Sequence, residues 1–114
     1  MSANNARLFK EVLESVYINT PLNVTVICWR NTSDTVMVSI TDMETGGIPL
    51  GFESELREKL KGVSSLNRVS VNTVSFFDIN DIKGAHVATE QARTPDICFY
   101  VNGKVTINTT NHVF

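Results

Sequence analysis

The groups in this chain that could do chemistry are the thiols of Cys28 and Cys98, the imidazoles of His86 and His112, the hydroxyl of Ser33 beside Asp34, and the carboxylate of Asp78. Thiol–disulfide exchange needs an attacking thiolate and a second thiol to resolve the mixed disulfide. Cys28 and Cys98 are too far apart in sequence for a Cys-x-x-Cys pair and too isolated for a zinc site. Each sits inside an apolar run, where a thiol behaves as a small hydrophobe and its pKa rises, so both are expected to be structural. The histidines share no ligand spacing and make no Ser-His-Asp order. Asp78 has no histidine or second carboxylate that can be placed beside it, so it reads as a strand-end residue. Gly46-Gly47 lacks a following Lys-Ser/Thr and reads as a hinge, not a phosphate loop. No catalytic residue, metal ligand or cofactor is assigned.

The elements that would position these groups follow from periodicity. Leu8, Phe9, Val12, Leu13 and Val16 recur at helical spacing after a candidate N-cap at Asn4 or Asn5, and Thr20-Pro21 ends that helix. Asn23 to Trp29 has the apolar density of a strand covered on both faces, which places it at the centre of a sheet. Thr35 to Asp42 alternates and is β-branched, so it prefers strand locally. Glu44 to Pro49 is a loop. A second helix opens at Leu50 or Phe52 and reaches Lys61, with Glu55 and Lys59 as an i,i+4 pair. Asn72 to Asn80 reads as a strand and Asp81 to Gln91 as a short helix. Ile97 to Val101 runs into Asn102-Gly103, the signature of a type I′ hairpin turn, with Lys104 to Asn108 returning. Pro95 sits before that hairpin, where a cis Thr94-Pro95 peptide is feasible.

The run Phe77-Asp78-Ile79-Asn80-Asp81, then Val87-Ala88-Thr89-Glu90, then Thr94-Pro95, then Phe99-Tyr100-Val101-Asn102-Gly103-Lys104 resembles the thioredoxin family. The resemblance covers Val74 to Val105. It implies an α/β fold, thioredoxin-like, of three α/β/α layers around a mixed sheet, with the strands holding Cys28 and Cys98 as neighbours. Laying Trp29 on the family's tryptophan puts Ser33-Asp34-Thr35-Val36 at the redox motif, without either cysteine. The resemblance therefore implies a redox-inactive member. It also makes Ser33 a candidate for activating a glutathione thiol, as serine does in related glutathione transferases. The strand preference of Thr35 to Asp42 and the absence of a final helix depart from the family. They leave open an α+β fold with an extra N-terminal β-hairpin over Asn23 to Asp42, as in a small viral or accessory binding protein.

The 114 residues, 42% hydrophobic and 19% charged, suit one domain over residues 1–114. A net charge of -2 with scattered Lys and Arg gives no footprint for nucleic acid. No run reaches the ~20 apolar residues of a membrane span, and Met1 to Lys10 lacks a signal-peptide pattern, so the expected location is cytoplasmic, with no membrane partner. The expected function is a binding or assembly module for a protein partner or a second copy as a homodimer. Its expected site is Trp29, Arg30, Ser33, Asp34, Thr94 and Pro95, or the sheet face left bare by the missing helix. Trp29 is there either a core plug or an exposed platform.

Overall fold

Local alternation wins over family spacing in the first half of the chain. In a computed structural model, which describes residues 3–29, 35–62, 69, 73–78 and 96–103, Thr35–Asp42 is a strand. The element order is α1 (Ala3–Tyr17), β1 (Leu22–Cys28), β2 (Thr35–Asp42), α2 (Phe52–Lys61), β3 (Thr73–Phe76) and β4 (Ile97–Val101). An antiparallel ladder runs from Leu22↔Asp42 to Cys28↔Val36. The active-site helix implied by the thioredoxin resemblance is therefore replaced by the second strand of a hairpin. The physical reason is that Val36, Val38 and Ile40 share one strand face, a period of two that a helix would scatter around its circumference.

The sheet order is β3-β2-β1-β4, so β1 is internal as its apolar density requires. β4 pairs antiparallel with β1 from Val24↔Val101 to Cys28↔Ile97, and β3 pairs parallel with β2 from Thr35↔Thr73 to Val38↔Phe76. The described residues thus form a small mixed α/β domain of four strands and two helices. Both helices lie on one face. There Ala6, Phe9, Leu13 and Tyr17 of α1 and Leu56 and Leu60 of α2 join Val24, Val26, Val36, Val38, Ile97 and Phe99 in one buried core. Phe9 meets Phe99 edge-on at 6.4 Å, and Phe52 meets Phe76 edge-on at 5.3 Å. Among the described residues no helix lies on the other face, so a three-layer arrangement is not seen in them.

That other face is nonetheless closed. Ile27, Trp29, Met37 and Cys98 cluster there and are buried, with Phe77 and Tyr100 packed against them. Thr25, Ser39 and Thr41 are buried too. These side chains, on the face expected to stand bare, are out of water in the single chain.

Local chemistry fixes the element ends. Asn19 takes a left-handed φ of 65° just before Pro21, which stops α1 where a helix cannot continue. The expected caps Asn4 and Asn5 instead lie inside α1, which already runs from Ala3. Asp42 Oδ1 accepts from the backbone N–H groups of Glu44 (2.8 Å) and Thr45 (3.1 Å), turning the chain after β2. α2 carries Glu53 and Glu55 in its first turn and Lys59 and Lys61 in its last, the arrangement that suits the helix dipole. Lys59 is not free for the expected pair with Glu55 alone, since its Nζ sits 4.8 Å from the Tyr17 ring centroid.

The expected type I′ turn is also corrected. Asn102 has the required positive φ of 66°, but Gly103 does not share it. Gly103 is needed for a different reason: an added Cβ would lie 2.9 Å from Asn23 Cγ and closer still to Oδ1. The returning strand Lys104 to Asn108, the helix Asp81 to Gln91 and the Thr94-Pro95 peptide lie outside the described residues.

Candidate functional site

Of the expected site residues, only Trp29 falls within the described set; Arg30, Ser33, Asp34, Thr94 and Pro95 lie outside it. The strand ends that flank them do meet. Cys28↔Val36 and Cys28↔Ile97 are partners, and Asp96 N–H donates to Cys28 O at 3.1 Å, so the ends of β1, β2 and β4 share one rim of the sheet. Trp29 at that rim is 1% exposed, and its ring belongs to the second-face core. It is a core plug. Thr35, two residues after Ser33, begins a strand.

The cysteines sit in adjacent strands but on opposite faces. Cys28 belongs to the helix-covered core and Cys98 to the second cluster. Both are buried, and they form no disulfide with each other. Neighbouring positions whose Cβ atoms point to opposite sides of a sheet cannot be bridged without moving the backbone. Burial, followed by a side-chain hydrogen bond with Cys98, pushes the Tyr100 hydroxyl well above the ordinary tyrosine range. Tyr100 is therefore a neutral phenol packed beside Cys98 near pH 7.

A surface that sequence reasoning missed lies along β3. Phe77 N–H donates to Val38 O at 3.1 Å, so Phe77 faces β2. Successive residues of a parallel strand point their backbone groups alternately to either side, which turns Val74 and Phe76 outward. No described strand lies beyond them. Arg57 Nη2 donates to the outward Val74 O at 3.3 Å, and the guanidinium carbon sits 4.8 Å from the Phe76 ring centroid.

Two open depressions flank this edge. One, about 160 Å³, is lined by Ile48, Phe52, Glu53, Phe76, Phe77 and Asp78. The other, about 270 Å³, is lined by Arg57, Leu60, Lys61 and Val74. Next to the first, Leu50 stands 98% exposed before α2. The available signal for this surface was the apolar pair Ile48 and Leu50 in the loop before α2, of which Leu50 is exposed and Ile48 half-buried. Strand order, which decides what is an edge, was not readable.

Among the described residues no group of three or more His, Cys, Asp or Glu side chains could hold a metal ion, and no helix is long and apolar enough to cross a membrane. No protein-family model, curated protein or solved structure matches the chain.

Proposed function

We propose that the chain is a redox-inactive binding or assembly module that acts through protein–protein contact, with the outer edge of β3 as its working surface. The observation that carries this is the outward backbone of Val74 and Phe76, with no described strand beyond it, set between two depressions and beside the exposed Leu50. Proteins usually blunt an open edge, because unpaired N–H and C=O groups template another strand. Here the flanks combine the apolar side chains of Ile48, Phe52, Phe76 and Leu60 with the charges of Glu53, Arg57 and Lys61, a setting that suits the gain of an extended segment by strand addition.

The redox-inactive part rests on Cys28 and Cys98 pointing to opposite faces. Two buried cysteines that form no disulfide also suit a reducing, cytoplasmic setting. The thioredoxin resemblance contributes only the adjacency of β1 and β4, which other sheets with a long return connection share. Nothing in the reading depends on it.

A photo-crosslinking side chain at Leu50 of the intact chain, in cells expressing it, tests the proposal against the same label at exposed Glu11 on α1. A polypeptide adduct from Leu50 and none from Glu11 is expected. No adduct from Leu50 overturns the reading.

A further inference from the structure

We infer that the occupant of the β3 edge is a second copy of this chain, added antiparallel about a two-fold axis at Phe76, so that two four-stranded sheets run on as one. This rests on the reading of that edge as the working surface. The charges beside the edge set both the direction and the register.

Glu53, Arg57, Leu60 and Lys61 all line the two depressions and so form the stripe of α2 that borders the edge. Glu53 stands with Phe76 and Phe77, whereas Arg57 stands with Val74 and over the Phe76 ring. Phe76 is therefore the midpoint between an exposed carboxylate and an exposed guanidinium. A two-fold axis there sets Arg57 opposite Glu53 of the partner subunit, and the symmetry repeats the pair. A parallel addition would turn the partner's α2 to the opposite face of the sheet and leave Arg57 and Glu53 without each other. An antiparallel addition centred one residue earlier, at Ser75, would set Arg57 beside its own copy. Like charges directly opposite cost free energy, and that register is disfavoured.

The backbone agrees with that register. Phe76 is an outward residue, and two outward residues facing each other in an antiparallel pair exchange both N–H···O=C bonds. Phe76 N–H of each copy donates to Phe76 O of the other. The contact is isologous, which closes at two subunits and uses up the edge without leaving a template for a third. The two α2 helices would then lie antiparallel on the same face of the joined sheet, dipoles opposed, with Phe52 and Phe76 of each copy beside the seam.

Sedimentation equilibrium of the full chain over a wide concentration range tests this, with Glu53→Lys, Arg57→Glu and the double variant alongside. A wild-type dimer is expected, weakened about tenfold or more by either single reversal and returned near wild type by the double. Phe76 amide exchange should slow as concentration rises. Because Arg57 also holds Val74 within its own chain, Glu53→Lys carries the test if Arg57→Glu does not fold. Val74→Pro supplies a variant free of charge effects, since it removes an outward N–H and leaves the ladder to β2 intact. A monomer at every concentration overturns the proposal, as does a dimer indifferent to Glu53→Lys and Val74→Pro, or a double variant no tighter than the singles. A monomer that still forms Leu50 adducts with another polypeptide overturns the self-pairing and leaves the binding edge standing; a monomer with no adducts overturns both.

Discussion

The side-chain amide of Asn102, on the turn after β4, donates to the main-chain carbonyl of Tyr17, 85 residues earlier at the end of α1. The same Nδ2 lies 3.1 Å from Leu22 O, where β1 begins. Leu22 O, at the start of β1, is thereby satisfied by a distant residue, and Tyr17 O gains a further donor beside the Thr20 N–H and the Thr20 hydroxyl. The positive φ at Asn102 aims its side chain into this corner and does not make the turn of a two-residue hairpin.

Asn102→Gly keeps the left-handed backbone and removes the amide. Losing the bond to Leu22 O and the long-range tie to Tyr17 O should lower stability by about 0.5–1.5 kcal/mol, read from the midpoint of urea unfolding at unchanged slope. Asn102→Ala should cost more, because it adds strain at φ 66°. Equal losses for the two variants would show that the backbone conformation contributes nothing there.

Gly103→Ala should destabilise by about 1 kcal/mol or more through overpacking against Asn23. Asn23 Oδ1 is itself buried without a hydrogen-bond partner, so truncating Asn23 removes an orphan acceptor as well as the obstacle. In a double-mutant cycle, Asn23→Ala should recover most of the loss. Additive losses would mean that Gly103 is required for some reason other than this contact.

Burial, assisted by the Glu55 carboxylate, pushes the Tyr17 hydroxyl from 10.0 up to about 12. The fold favours the neutral phenol, so this contribution to stability is complete below the unfolded value of 10.0. It falls away as pH rises from there towards about 12. Thermal midpoints of the wild type should drop over that window more steeply than those of Tyr17→Phe. Parallel curves would contradict the assignment.

With Cys28 and Cys98 buried on opposite faces, a thiol reagent should label the folded chain only at the rate of unfolding. Both sites should react at once in denaturant. Prompt labelling of either thiol under native conditions, or a reductant-sensitive change in electrophoretic mobility, would show that the cores open or rearrange.

Much of the local structure was legible in the residues. The 3–4 spacing of Phe9, Val12, Leu13 and Val16 gives α1, and the apolar density of Asn23 to Trp29 gives an internal strand buried on both faces. Thr35 to Asp42 is instructive because its alternation spoke for a strand while the family resemblance spoke for a helix. Matching spacing further along the chain carries no information about local propensity, and the propensity decided. What stayed hidden is what pairing decides at a distance. No local pattern reveals that β3 adds beyond β2 and so becomes an edge, or that Asn102 reaches Tyr17. The same holds for Lys59, whose i,i+4 spacing suggested Glu55 while the folded chain brings the Tyr17 ring under it.

The flanking of β1 by β2 on one side and β4 on the other has a consequence for synthesis. β2 follows β1 within a few residues and can pair with it as soon as both leave the ribosome. The other side of β1 must wait until Ile97–Val101 has been made. During that interval Val24 to Cys28 presents one unpaired row of backbone groups on a strongly β-forming segment, the kind of surface that invites pairing with a neighbouring nascent chain. Translation speed between Asp42 and Ile97, and any factor that shields this hairpin meanwhile, should govern how much of the protein reaches its native sheet.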